Sequence, residues 1–260
     1  MNIIDVAVDA FASAGLVALA PWQLAAIAAA FLWSGFVRSG LGFGGAALTL
    51  PLLLLVVDDP LFFLPAIACQ LLLFSSLTIA TRLDNVDWVW LGRLVAMLAL
   101  PVAAGLAGLL NLSPTLLSGI VYAVTLGYGA MYLLDRGIVS TGRASDALLI
   151  ALGGYVSGVS LTGAPLIVAV GARRLPPARL RDTLFVLWIV LVSVKLATFV
   201  AADVDLRWAL FGATLPFVAI GHVLGLRLHA RLVVGGAARF RRIVGAGLAA
   251  VSLAGLATVL

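Results

Sequence analysis

The side chains that could do chemistry in this sequence are few, and most fall where glycines interrupt apolar runs. Between Trp22 and Asp58 an Ala/Leu-rich stretch is cut by Ser34-Gly35-Phe36-Val37-Arg38-Ser39-Gly40-Leu41-Gly42-Phe43-Gly44-Gly45, with Arg38 as its one interior charge. A second run, over 147–172, is cut by Gly154-Tyr155-Val156-Ser157-Gly158-Val159-Ser160-Leu161-Thr162-Gly163-Ala164-Pro165. Glycines at 42, 44 and 45 let backbone come close to backbone or ligand. A helix that restarts after such a break turns its free N–H groups and the positive end of its dipole back toward the break. Thr162 is placed to cap that restart, Pro165 suits a first helical turn, and Ser157 and Ser160 add hydroxyls just upstream. Together these groups suit an anion. Arg38, and with it Ser39, sits just before the first glycine turn, where a guanidinium could grip an oxyanion with two parallel bonds or hold carbonyls of the turn. Gly35 and Gly154 read as close-packing positions between helices.

Lys195 is the only lysine, deep in an apolar segment, and suits either a counter-charge to an anion or a proton-coupling group. His222, beside Pro216 and Gly221, is a second proton-coupling candidate; a hydrogen bond between helices is its bland alternative, as for Gln70. Asp58, Asp59, Asp84, Asp87, Asp203 and Asp205 cluster at segment ends and read as caps and loop charges. Trp22, Trp88, Trp90 and Trp208 read as interfacial anchors, and the single Cys69 as a packed thiol. No residue set calls for a metal or cofactor.

The elements that must carry these groups follow from composition. The chain is 63% hydrophobic and 10% charged, against about 25% charged in soluble domains, so it is a polytopic membrane protein with the lipid bilayer as its surroundings. The basic balance comes from 15 arginines and one lysine against 11 aspartates. The arginines lie in short loops between apolar segments, an orientation signal and not a nucleic-acid surface. Residues 1–21 carry Asp5 and Asp9 on one face, lack a basic leader, and read as a surface helix. As one straight helix the stretch 22–58 would be over roughly 50 Å long, too long for one crossing of a ~30 Å hydrocarbon core.

Further apolar segments fall at about 60–80, 88–110 and 114–134, then, after the polar linker 135–146, at 147–172, 179–201, 206–229 and 240–259. The halves 22–134 and 147–260 resemble each other. An offset of 119 lays Gly35-Phe36-Val37-Arg38-Ser39 on Gly154-Tyr155-Val156-Ser157-Gly158, and Asp84 on Asp203. Trp90 then falls on Trp208 and Leu100-Pro101 on Leu215-Pro216, at offsets of 118 and 115. If each broken segment enters and leaves on one side, twelve loop arginines collect on that chain's cytoplasmic face and only Arg207 lies opposite. Each half then makes an odd number of full crossings, and the second half is inverted relative to the first. The expected fold is therefore all-α: two inverted repeats, each a broken helical hairpin plus three transmembrane helices.

The pattern Gly35-x3-Ser39-x2-Gly42-x-Gly44-Gly45 with Pro51, the loop Asn85-Val86-Asp87-Trp88, and Gly154-x3-Gly158-x4-Gly163-Ala164-Pro165 resemble the doubled signature of the TauE/SafE family of sulfite and organosulfonate exporters. The resemblance covers about residues 22–260. It implies export of a small sulfur-containing anion across a bacterial inner membrane. Ser39, Leu161 and Arg38 depart from the usual glycine, glycine and small apolar residue of that family, and all three fall at the candidate site.

The expected function is a secondary transporter, not an enzyme, working by alternating access. The anion is held at the two breaks by Arg38, Ser39, Gly42, Gly44, Gly45, Ser157, Ser160, Thr162, Gly163 and Lys195, with Lys195 and His222 for proton coupling. A passive anion channel would use the same residues. An intramembrane hydrolase with Ser157 as nucleophile and His222 as base is the alternative of another class, and a scaffold needs none of these groups. A second copy of the chain, as a homodimer, is left open.

Overall fold

Prolines and aspartates at the segment ends set where the helices start. Asp59 accepts a hydrogen bond from Leu61 N at 2.9 Å with Pro60 opening its helix, Asp87 accepts from Trp90 N at 2.9 Å, and Ser113 precedes Pro114. These are the N-cap and first-turn arrangements that satisfy otherwise unpaired N–H groups. The computed structural model describes residues 19–41, 45–234 and 237–259, with side chains at all of these except 40, 41 and 228–241. The surface helix expected over 1–21 lies outside the described residues but for its last three positions, and so do Gly42 and Gly44.

Among the described residues the chain is all helical. The helices are α1 (Pro21–Leu41), α2 (Gly45–Leu54), α3 (Pro60–Ile79), α4 (Trp88–Asn111) and α5 (Pro114–Leu133) in the first half. The second half has α6 (Arg143–Ser160), α7 (Ala164–Gly171), α8 (Pro177–Ala201), α9 (Trp208–Val234) and α10 (Ala237–Val259). Six of them, α3, α4, α5, α8 and most of α9 and α10, are long and apolar enough to cross a membrane. This is a multi-pass membrane protein.

The other four helices form two pairs, α1/α2 and α6/α7, each broken at a glycine cluster. With 10 and 8 residues, α2 and α7 are about 15 and 12 Å long, half a hydrocarbon core or less. Each runs back beside its predecessor. A Cβ on Gly45 would lie 3.1 Å from Arg38 Cβ and 3.3 Å from the Ser34 carbonyl, and one on Gly163 would crowd Gly153 and Ser157. A helix that merely kinked and ran on would carry residue 45 far from residue 34.

Packing links the halves pairwise. α1 lies along α9 and α6 along α4, while α3 packs on α8 and α5 on α10. Exchanging every helix for its counterpart in the other half leaves this set of pairs unchanged. The α1–α9 and α4–α6 crossings bring backbones together at glycines. A Cβ on Gly35 would sit 2.8 Å from His222 N, and one on Gly158 would sit 2.5 Å from the Val102 carbonyl and 2.8 Å from Gly105 Cα. Gly154 packs on Pro101. Trp22, Trp88 and Trp208 are exposed at helix starts, as anchors should be, but Trp90 is buried among Leu94, Leu180 and Leu184 and is a core residue.

Candidate functional site

Where the two hairpins meet, a small cavity of about 30 Å³ lies between the halves. The first half lines it with Arg38, Gly45, Ala46 and Leu71, and the second with Ser157, Leu161, Ala164 and one face of α8, where Phe185, Trp188, Leu191 and Val192 follow helical spacing. Gly45 and Ala164 are the first residues of α2 and α7. Both short helices therefore point their N-termini, with partial positive charge, at this space.

Arg38 is buried near the end of α1. Its Nη1 donates to the Gln70 carbonyl at 3.3 Å and its Cζ lies 4.5 Å from the centre of the Phe74 ring. Its Nη2 has no hydrogen-bond partner among the described residues. Ser157 Oγ, also buried, has none either. The offset that aligns the two halves places Arg38 on Ser157. The two unpartnered polar groups at the cavity are thus residues that this sequence offset relates. An unpaired guanidinium N–H and a hydroxyl, both removed from water, are costly unless something accepts from them.

Other expected site residues fall around this centre with different partners. Ser39 Oγ is hydrogen-bonded to His222 Nδ1, and the His222 ring packs on Phe74 with centroids 5.0 Å apart. That engages His222 with Ser39, so the Ser157–His222 dyad of a hydrolase is not formed. Ser160 Oγ donates to the Val156 carbonyl and pairs with Thr162 Oγ1 at 2.7 Å. Thr162 is not the cap of α7: the helix starts at Ala164, so Gly163 holds that position, and the Thr162 hydroxyl is paired with Ser160. Leu161 has φ 60°, in the left-handed region, a conformation costing a non-glycine residue about 1 kcal/mol or more. This is the physical reason a glycine would be at ease at that position.

Lys195 is fully buried one turn beyond Leu191 and Val192 on the same face of α8. Its Nζ donates to the Gly158 carbonyl and lies 5.8 Å from the Phe199 ring centre. Gly158 is in the last turn of α6, where carbonyls lack intrahelical partners. The ammonium therefore caps the negative end of α6 beside the break.

Gln70 makes the bond between helices that its type suggested, whereas its partner Thr214, Tyr128 and Trp188 were not singled out from the sequence. Gln70 Nε2 donates to Thr214 Oγ1 at 2.8 Å, tying α3 to α9 behind Arg38, and Tyr128 OH donates to the Thr162 carbonyl at 3.0 Å. Trp188 forms part of the wall; its place in mid-segment, away from the interfaces where membrane tryptophans gather, was the available signal. On the arginine-rich side, Asp146 is held by Arg174 at 2.8 Å, by Arg173 at 3.2 Å and by the Ser140 hydroxyl, fastening linker and α6 to the end of α7. The Ser140 hydroxyl first, then the guanidiniums, hold its carboxyl below the usual aspartate value.

A family model described as sulfite exporter TauE/SafE matches residues 26–255. No curated protein and no solved structure gives a match.

Proposed function

We propose that this chain, which belongs to the TauE/SafE sulfite exporter family, is a secondary transporter that exports a small sulfur-containing oxyanion, sulfite or an organosulfonate, by alternating access. The observation that carries the reading is the pair Arg38 Nη2 and Ser157 Oγ, buried without partners and related by the sequence offset between the two halves, on the cavity that α2 and α7 face with their N-termini. An oxyanion would accept from both and from the backbone N–H groups of the two helix starts. At about 30 Å³ the cavity holds about one or two waters, so an anion enters as the walls part.

Lys195, one turn from the cavity, adds full positive charge, and with His222 forms the set from which coupling to a proton gradient would come. Exchange-invariant helix pairing supports two inverted repeats over 22–134 and 147–260, joined by the cytoplasmic linker expected over 135–146, of which 143–146 already belong to α6. The arginine distribution supports an inner-membrane orientation with the arginine-rich loops cytoplasmic.

The test is a thermal-shift screen of the purified protein with sulfite, sulfate, thiosulfate and taurine, alongside Ser157→Ala. The expected result is stabilisation by at least one sulfur oxyanion and a smaller shift in the variant. No shift with any of them overturns the site. Uphill accumulation in sealed inverted vesicles under a pH gradient separates a coupled carrier from a channel, which only equilibrates.

A further inference from the structure

The two short helices are not equally covered. α2 packs against both α5 and α10, with Leu48 seated against Val244 and Leu248. Among the described residues α7 makes at most marginal contact with either helix. Between α7 and α5 there is instead a cavity of about 190 Å³, lined by Tyr128, Tyr132 and Arg136 from the end of α5 and beyond, and by Pro165, Val168 and Ala169 along α7. The positions of α2 equivalent to Pro165, Val168 and Ala169, at the same offset of 119, are Ala46, Thr49 and Leu50, and all three are buried. On α7 Ala169 is buried as well but Pro165 and Val168 are part-exposed, so this face is partly open on α7 and its twin is closed on α2. α5 and α10 themselves form a tight pair: a Cβ on Gly129 would lie 2.8 Å from Ala249 N, and one on Gly245 would lie 2.7 Å from Leu133 N.

We propose that the cavity between α5, α7 and the linker is the vestibule through which the anion reaches the breaks from the arginine-rich side, and that α5 and α10 move as one body, off α2 and onto α7, to close it. The inference rests on the transporter reading above. Arg136 stands at the mouth, where a positive charge concentrates anions. The linker wall is held in place by Ser140, which bonds Asp146 and accepts from Arg173 Nη1 at 3.1 Å. At the inner end Tyr128 reaches the Thr162 carbonyl, so α5 already touches the second break at one point and can pivot there. Seating α5–α10 on α7 would fill the vestibule and uncover the Thr49 face of α2, opening the opposite side. Because the halves share one pattern, the two arrangements are packings of similar quality, as a two-state device requires.

The test uses the full-length chain with Cys69→Ala, which removes its only thiol, and a membrane-impermeant sulfonated methanethiosulfonate reagent. With no anion added, Val168→Cys is expected to label in inverted vesicles and not in right-side-out ones, while Thr49→Cys labels in neither. Addition of taurine is expected to expose Thr49→Cys to reagent in right-side-out vesicles. Pro165→Cys, at the other part-exposed lining position of α7, serves as the second vestibule position if Val168→Cys does not elute as folded protein. Folded variants at 168 and 165 that both fail to label, or label equally from both sides, overturn the proposal. Labelling reads water access and not cargo. A normal pattern with no anion bound or carried therefore overturns the transport reading alone, and transport without labelling places the route elsewhere.

Discussion

Replacing Arg38 with lysine keeps the charge and removes the fork. In the structure the guanidinium is divided: Nη1 serves the Gln70 carbonyl, Cζ sits over the Phe74 ring, and Nη2 is left for the cavity. A lysine ammonium can satisfy the carbonyl or the anion but not both in this geometry. One charge-assisted hydrogen bond is worth about 1.5–3 kcal/mol. A loss of about 2 kcal/mol is roughly a thirtyfold weaker Kd. At an anion concentration of about 100 Kd the wild type gains about 2.7 kcal/mol on binding. At the same concentration Arg38→Lys gains only about 0.9 kcal/mol. The assay is the anion-induced shift in thermal or denaturant unfolding of detergent-purified protein, with the anion-free midpoint measured beside it. Arg38→Lys is expected to keep its anion-free midpoint within a few degrees and lose about two thirds of the anion-induced gain. An unchanged gain would mean that Arg38 only packs against Gln70 and Phe74, and the argument from its unpaired nitrogen would fail.

Three further outcomes follow from the same contacts. Gly158→Ala places a methyl 2.5 Å from the Val102 carbonyl and should cost about 1–3 kcal/mol by forcing α6 and α4 apart, whereas Gly127→Ala, with nothing within 4 Å, should gain about 0.5–1 kcal/mol; chemical unfolding of the two variants checks the contrast. Lys195→Met removes a buried charge and leaves the Gly158 carbonyl without its donor, opposing effects of similar size, so unfolding stability should move little while the anion-induced shift falls. Asp146 is held below its ordinary pKa in the fold, so its stabilisation is full above the unfolded value of about 3.9 and is lost as pH falls through the folded value. Asp146→Asn should therefore be less stable than wild type at neutral pH, with the two melting curves converging as the pH is lowered.

Most of the architecture could be read from the sequence because a bilayer leaves few options: apolar runs must be helices of a set length, and short capped turns mark their ends. The expected six crossings and two broken pairs match the helices found, often to within a residue or two at their starts. What the site lacked in the sequence was partnership. Nothing in the spacing says that Lys195 will spend a bond on the Gly158 carbonyl, or that Ser39 and not Ser157 will meet His222, since both pairings cross between helices far apart in the chain. Thr162 failed as a cap because α7 starts one residue late for it, at Ala164 after Gly163, an offset that residue type alone cannot rank. Trp90 failed as an anchor because its position near a helix start, which suggested the interface, is overruled by α7 and α8 packing across it.

The interlocked pairing of helices bears on how the protein is made. α1 is closed by α9, the Gly35 crossing meeting Val218 and His222, so the first hairpin leaves the ribosome long before its partner exists. Until α9 is inserted, the backbone of α1 around Gly35 must be covered by lipid, by an insertase or by a chaperone. The first half released on its own would therefore present a half-finished core to the quality-control proteases of the membrane. The second half has the same debt to the first, because α6 closes chiefly on α4. Each half is the other's assembly factor, and a chain cut within the 135–142 linker would yield two pieces that persist only when produced together.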